Sequence, residues 1–296
     1  MHGSVEGKGE CVSDETAVLL IYCADQKGLV ASVSEFVFRN GGNIVHAEQH
    51  IDAQQGIFFH RVEWKMKGFA LAHHEIVPAF RPIADRFRMQ SQVRFSSGRL
   101  RLAIFVSKYD HCLLELLYRH RTGELPCDMV AVVSNHPDLG ALVASFNIPF
   151  HVFPITPETK YEQENRELSL LRALDVELIV LARYMQVLTR TFVNCYPNRI
   201  INIHHSFLPA FPGKKPYEQA HERGVKLIGA TSHYVTEELD EGPIIDQDVC
   251  RVTHRDSAQE LVRKGRELER QVLGRSVRLH LLHRVLPYGR KTVVFD

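Results

Sequence analysis

At 296 residues, with 36 basic and 35 acidic side chains, the chain is long enough for two domains and close to neutral. A formal charge of +1 argues against a general nucleic-acid or membrane-surface protein, and no apolar run approaches the roughly 20 residues of a membrane span. The first fifteen residues are polar and contain acids, unlike a secretory or transit peptide. Six scattered cysteines (Cys11, Cys23, Cys112, Cys127, Cys195 and Cys250) form no C-x-x-C pair, which implies reduced thiols and a cytoplasmic protein.

Residues 1–15 read as a polar tail. An apolar run over 16–23 predicts a strand; D-Q-K-G-L-V from Asp25 to Val30 then leads into a helical pattern through Val33, Phe36 and Val37 that stops at Asn40-Gly41-Gly42. Strands follow at Asn43–Ile51 and Ile57–Lys65, around the Asp52–Gly56 turn. A helix over Phe69–Phe80 and a strand over Arg88–Phe95 complete a β-α-β-β-α-β order, the ferredoxin-like arrangement, over 16–96.

Ser96, Ser97 and Gly98 mark a flexible joint, with the linker at 97–99. Beyond it, strands are expected near 100–106, 128–133, 149–153, 177–182 and 199–204, with helices near 110–120, 137–146 and 160–173. That alternation implies an α/β domain over 100–296, with a mostly parallel, Rossmann-like sheet. Ser257–Val285 is amphipathic and charged enough to be one long helix on the outside, closed by a small strand at Thr292–Phe295.

The densest chemistry lies late in the chain. Ile200 and Ile201 lead into Asn202, as they do where Asn202 and His204 end a buried strand with their side chains on one face. Ligands of open α/β sheets bind at such strand ends. Gly229–Val235 is a second β-like run, and Asp240 follows in a Gly-bounded segment that a tertiary fold can return to the same crevice. An Asn N–H aimed at a carbonyl oxygen becoming tetrahedral contributes roughly 2.7–4 kcal/mol in known enzymes. A His paired with a carboxylate is held in one tautomer for acid–base work, worth about 10²–10⁴ in rate. Together the three groups suit attack of water or an amine on an activated amide or formamide. Singly, each reads as a cap, a turn residue or a solvated side chain.

Seventeen histidines invite a metal, yet neither His73-His74 nor His204-His205 has H-E-x-x-H spacing and no Cys/His group has zinc spacing. No metal is expected.

The pattern N-x-H-x-S-x-L-P at Asn202, His204, Ser206, Leu208 and Pro209 precedes G-x-T-x-H-x-V-x-x-x-x-D-x-G-x-I-I at Gly229, Thr231, His233, Val235, Asp240, Gly242, Ile244 and Ile245. The two together resemble the folate-dependent formyltransferase family. The resemblance implies that Asn202, His204 and Asp240 are the catalytic triad of a 10-formyltetrahydrofolate enzyme. It further implies a flat, mostly apolar pterin slot lined by Tyr184, Met185, Gln186, Val187 and Leu188, and by Thr236, Glu237, Glu238 and Leu239. The competing reading makes Met185, Val187 and Leu188 ordinary core. Gln186 stands where related sequences often have Arg, which removes a positive charge. His205 and His233 are supporting candidates, for positioning water and for bracing the Asp240 loop, or else structural. Lys214 and Lys215 are candidates for the substrate's glutamate tail, or else solvated.

Family members that formylate a phosphorylated amine carry G-x-G-S after the first strand of this domain, because bare amides at a helix start cradle phosphate. Here that position reads V-S-K-Y-D-H-C from Val106 to Cys112, with an acid and bulky side chains, so such an acceptor is disfavoured. The chain ends about 50 residues after Asp240, too soon for the oligonucleotide-binding domain of a methionyl-tRNA formyltransferase, so tRNA is not expected. With its doubled His, the chain resembles the deformylase branch of the family. That implies hydrolysis of 10-formyltetrahydrofolate to formate and tetrahydrofolate, supplying formate to one-carbon and purine metabolism with no cofactor required. Formyl transfer to an unphosphorylated amine, such as an amino sugar, and a non-catalytic folate or amino-acid sensor are the alternatives.

D-x-x-G-L-V at Asp25–Val30 and G-G-N-I at Gly41–Ile44 make residues 16–96 resemble an ACT domain. The resemblance implies an amino-acid effector touching Asp25, Gly28, Leu29 and Asn43. The plainer reading has Asp25 capping the helix, Gly28 permitting the turn, and the domain serving assembly alone. An exposed sheet edge on such a domain implies a homo-oligomer, dimer or tetramer.

Overall fold

The structure, a computed structural model, describes residues 15–209 and 216–295; Cys11, Lys214 and Lys215 lie outside them. The chain divides between Gly98 and Arg99 into two units. In the first, β1 (Thr16–Ala24), α1 (Leu29–Arg39), β2 (Asn43–Asp52), β3 (Ile57–Lys65), α2 (His73–Phe87) and β4 (Gln90–Phe95) follow in that order. The four strands form an antiparallel sheet ordered β2-β3-β1-β4, with β1 paired from Thr16↔Lys65 to Ala24↔Ile57. Alternate β1 residues Ala17, Leu19, Ile21 and Cys23 pack with Val33 and Val37 of α1 and Ile76 and Phe80 of α2.

Two expectations for this unit need correction. The second helix runs over His73–Phe87 rather than 69–80. The helix does not end at Phe80, because the buried stripe Ile76, Phe80, Ala84 and Phe87 continues past it. Pro78 and Pro82 are exposed, so the backbone bonds they forgo are on the side that water can reach. Asp25 does not cap α1: Gly28 is the N-cap, in the left-handed region at φ 93°, with no side-chain cap, and the Asp25 N–H donates to the Gly56 carbonyl at 2.8 Å. Asp25, Gly28 and Asn43 are exposed, while Leu29 belongs to the core.

The second unit contains β5 (Leu100–Val106), α3 (His111–Arg121), β6 (Cys127–Ser134), α4 (Gly140–Ala144), β7 (Phe150–Val152), α5 (Lys160–Ala173), β8 (Leu178–Leu181), α6 (Arg190–Cys195) and β9 (Ile200–His204). It continues through α7 (Pro216–Glu222), β10 (Leu227–Tyr234), β11 (Ile244–Arg251), α8 (Ala258–Leu281) and the hairpin β12 (Val285–Tyr288) and β13 (Lys291–Val294). The sheet order is β11-β10-β9-β8-β5-β6-β7. Strands β7, β6, β5, β8 and β9 are mutually parallel; β10 and β11 are antiparallel additions at one edge, so the sheet is mixed. Strand β5 is apolar apart from Arg101 because it is covered on both faces: Leu102, Ile104 and Val106 face one core cluster, Ala103 and Phe105 the other. After β7 the chain crosses back to place β8 on the other side of β5, creating a strand-order reversal at which ligands bind in open sheets.

Helix α8 is the one long amphipathic helix expected, covering the sheet with one face while Arg263 and Glu267 stay exposed on the other. Ten of its residues are buried, among them Leu261, Leu268, Glu269, Val272 and Val277. Its charged composition hides this, because the apolar positions form one stripe at helical spacing. Strand β11 (I-I-D-Q-D-V-C-R) carries acids on an edge strand, where Arg275 of α8 bonds Asp246 at 2.7 Å and Asp248 at 3.1 Å. The short helices α6 and α7 show too few turns for a periodic signal.

Candidate active site

Strand β9 carries Asn202 and His204 on one side, two residues apart, while Ile201 and Ile203 are buried on the other. Antiparallel pairing with β10 sets His233 against Asn202 and Thr231 against His204. The His233 Nδ1–H donates to the Tyr234 carbonyl at 2.9 Å, leaving Nε2 to accept from Asn202 Nδ2 at 3.2 Å. The amide nitrogen is thereby oriented, and its second hydrogen remains available. Thr231 is fully buried as a clasp: its hydroxyl donates to the Ser206 carbonyl at 2.9 Å and accepts from the Leu208 N–H at 3.0 Å.

Asp240 returns from the β10–β11 loop to stand 3.2 Å from His204 Nδ1, with its other oxygen 3.6 Å from His233 Nε2. Gly242 makes this return possible. A Cβ there would lie 1.7 Å from the Tyr234 carbonyl oxygen, so only glycine lets the loop press against β10. Burial by itself pushes the Asp240 carboxyl up, but the hydrogen bond and charge of His204 outweigh it and hold the group well below the usual carboxylate range. The pair therefore presents an ionised carboxylate to Nδ1, which fixes the proton there. His204 Nε2 is buried without a hydrogen-bond partner among the described residues, the free valence that a proton-transfer atom needs. His205 stacks on His204 at 5.1 Å; burial, then the charge of Arg183, lowers its pKa to about 4, so it is neutral near pH 7.

These groups open onto a cavity of about 410 Å³. Tyr184 to Leu188, Thr236 to Leu239 and the histidines 204, 205 and 233 all line it. Met185 and Val187 are 53% and 59% exposed, so they are not ordinary core; Leu188 is, at 9%. Tyr184 is buried and turns its hydroxyl away, donating to Glu167 at 3.1 Å. Helix α5 braces the loop throughout: Lys160 donates to the Val187 carbonyl, Glu164 accepts from the Thr189 N–H at 3.1 Å, and Glu167 holds Tyr184.

Glu167 is fully buried, and burial pushes its carboxyl up to about 7, with Glu164 adding to the rise and Tyr184 and Lys160 opposing it. A raised folded-state pKa means stability present below the unfolded carboxylate range and lost as pH rises through about 7. Glu167→Gln should therefore match the parent at pH 5 and exceed it at pH 8 by on the order of 2 kcal/mol. Urea denaturation at both pH values checks this; an equal difference at the two would rule out the titration.

The sequence reading overlooked a second buried group beside the cavity. Glu269, an acid on the buried stripe of α8, accepts from Tyr217 at 2.7 Å and pairs with His111 at 2.8 Å and Arg183 at 3.4 Å. An acid amid apolar positions at helical spacing was the available signal, since a buried charge demands partners. His111, Cys112 and Glu269 bring ligand-type atoms within 4.8 Å of one another. They fit a metal poorly, because Arg183 already neutralises Glu269 and burial holds the Cys112 thiol well above its usual range. Over the V-S-K-Y-D-H-C segment, Ser107 bonds Asn135 and the Met185 N–H, and the Tyr109 ring lies 5.4 Å from both the Arg183 and Arg266 guanidinium carbons.

A mixed α/β sheet whose strand β9 and β10–β11 loop bring Asn, His and Asp together over an apolar slot is the architecture of a formyl transferase, and the formyl transferase family model matches residues 100–277. The chain is 55% identical over 280 residues to the formyltetrahydrofolate deformylase of Synechocystis sp., covering 95% of this chain and 98% of that one. It is 49% identical to the Bacillus subtilis formyltetrahydrofolate deformylase, covering 96% and 95%. The crystal structure of a formyltetrahydrofolate deformylase from Pseudomonas syringae pv. tomato matches with a TM-score of 0.94 at 45% identity, covering 97% and 96%. Glycinamide ribonucleotide transformylase 1 from Symbiobacterium toebii matches 67% of this chain and 95% of its own, with a TM-score of 0.63 at 31% identity. The chain belongs to the formyltetrahydrofolate deformylase family.

Proposed function

We propose that the protein hydrolyses 10-formyltetrahydrofolate to formate and tetrahydrofolate. The observation that carries this reading is the buried His204–Asp240 pair, beside Asn202, on a largely apolar cavity of about 410 Å³. Asn202 donates its second amide hydrogen to the formyl oxygen as charge develops there. Asp240 keeps the His204 proton on Nδ1, so Nε2 takes a proton from the attacking water and returns it to N10 as the C–N bond breaks. Met185, Val187 and Leu239, all more than half exposed, offer apolar surface to the pterin. His233 holds the Asn202 amide, and His205, neutral and stacked on His204, helps place the water. These side chains supply the acid, the base and the oxyanion donor, so the reaction requires no cofactor.

The first unit has the strand order of an ACT domain, and in this reading it binds an amino acid near Asp25, Gly28, Leu29 and Asn43 and pairs the chains into a dimer or tetramer. No helix among the described residues is long and apolar enough to cross a membrane, and a cytoplasmic location completes the proposal.

The deciding experiment is incubation with 10-formyltetrahydrofolate in amine-free buffer. Formate and tetrahydrofolate should appear in equal amounts; absence of both, with folate still bound, would overturn the hydrolase reading. An amino-acid panel that moved neither activity nor Tm would remove the effector, and a monomer by size measurement would remove the assembly.

A further inference from the structure

Polar ties hold the 184–189 loop, whose residues Tyr184 to Leu188 form one wall of the cavity. Ser107 accepts from the Met185 N–H at 2.9 Å, Lys160 donates to the Val187 carbonyl, and Glu164 accepts from the Thr189 N–H at 3.1 Å. The tie at Tyr184 differs from these in its chemistry. The Tyr184 hydroxyl donates to Glu167 Oε1 at 3.1 Å, and its ring stands edge-on to Phe105 at 5.2 Å. Glu167 itself is fully buried on α5, behind Tyr184, and its Oε2 has no hydrogen-bond partner among the described residues. Glu164, one turn away, has Lys160 at 3.1 Å as a counter-ion, whereas Glu167 forms no ion pair among the described residues. A neutral carboxyl is tolerated in such a place. A carboxylate with one oxygen bare is costly there until water reaches it.

We propose that Glu167 is a positioning residue for folate, its proton keeping Tyr184 and the cavity wall packed in the substrate-binding form. The inference rests on the hydrolase reading and deepens it, since Glu167 acts through Tyr184 rather than on substrate. Burial pushes this carboxyl up to about 7 against the Tyr184 hydrogen bond, with Glu164 adding to the rise and Lys160 opposing it. These are the titratable groups that act on it, one from the loop and two from its own helix. Loss of the proton favours a wall in which water reaches Oε2, and that wall opens when Tyr184 leaves its seat against Phe105. The packed form, and tight folate binding with it, is therefore present below about 7 and fades as pH rises through that value. With one proton linked to one folate, KM climbs by up to about tenfold per pH unit above the midpoint. Among the groups lining the cavity, His205 titrates at about 4 and Asp240 lower still, both outside this window.

The test follows KM and kcat for formate release from 10-formyltetrahydrofolate, and Kd for tetrahydrofolate, between pH 6 and pH 8.5. It compares the full-length parent, Glu167→Gln and Tyr184→Phe. In the parent, KM and Kd should rise together by at least about fivefold across that range. Glu167→Gln keeps an acceptor for the Tyr184 hydroxyl but carries no titrating proton, so its KM should stay within about twofold, the difference falling on KM rather than kcat. Tyr184→Phe removes the hydrogen bond that favours the ionised carboxyl, so the midpoint of the rise should move to higher pH. A side chain that only supported the fold would change Tm and leave the KM profile alone. A flat KM in the parent, a rise that persists in Glu167→Gln, or a midpoint that Tyr184→Phe fails to raise would overturn the proposal. If the glutamine variant does not fold, the parent profile and the Tyr184→Phe midpoint decide. Absence of formate from the parent would instead overturn the hydrolase reading, and the Kd profiles would still decide the role of Glu167, so the two failures are distinct.

Discussion

Asp240→Asn should lower kcat for formate release by about 10²–10⁴ while leaving folate affinity nearly unchanged. The carboxylate stands 3.2 Å from His204 Nδ1 and, being ionised, accepts the proton there. An asparagine in its place can donate through its amide nitrogen, which favours the tautomer with the proton on Nε2. The buried, unpartnered Nε2 could then no longer take a proton from water. The pH dependence has a definite sign. A carboxyl held below its usual range stabilises the fold above the ordinary carboxylate pKa, and this contribution disappears as pH falls through the lowered value. The stability gap between parent and Asp240→Asn should therefore be widest near neutral pH and close in strong acid. Steady-state kinetics with thermal melts at pH 7 and pH 3 check both halves, the gap being narrower at pH 3 but not yet closed; turnover within fivefold of the parent would dissociate Asp240 from the chemistry.

Gly242→Ala should eliminate activity by a different route. Its Cβ would meet the Tyr234 carbonyl oxygen at 1.7 Å and Thr236 Cγ2 at 3.3 Å. The first contact is backbone and cannot swing aside, so the loop carrying Asp240 must move. The Tyr234 N–H currently donates to the Pro243 carbonyl at 2.9 Å, and that bond ties the loop to β10. A shift of about 1 Å in a catalytic group commonly costs on the order of 10²-fold in rate, and overpacking of this kind costs about 1–3 kcal/mol or more in stability. The expected pattern is lost kcat with a Tm lowered in acid and at neutral pH alike, unlike Asp240→Asn, whose stability deficit shrinks as pH falls. A Gly242→Ala protein with parental kcat and Tm would show that the loop yields more readily than its contacts imply.

Much of the second unit was legible in the chain because its central strands are covered on both faces and so read as largely apolar runs. β5 over Leu100–Val106 and α5 over Lys160–Ala173 end where the residue pattern places them. Where the pattern misled, a competing contact prevailed. The expected helix ends at Phe80, but burial of Ala84 and Phe87 carries α2 onward. β11 went unread as a strand because its acids are satisfied by Arg275, a partner that periodicity cannot reveal.

By itself the sequence determined the chemical inventory: an amide, an imidazole and a carboxylate in a motif of fixed offsets, apolar residues at 185, 187 and 239 for a slot, and no glycine cradle between Val106 and Cys112. Local spacing suffices for these because a strand sets residues two apart on one face. Only the tertiary structure decided that Asp240 reaches His204, through an antiparallel strand and a glycine-permitted loop, and that His233 orients the Asn202 amide. It alone joined Arg183 to Glu269, across 86 positions of chain. Such contacts depend on how sheet order and helix packing fold distant segments together, and no local pattern of residues encodes that distance.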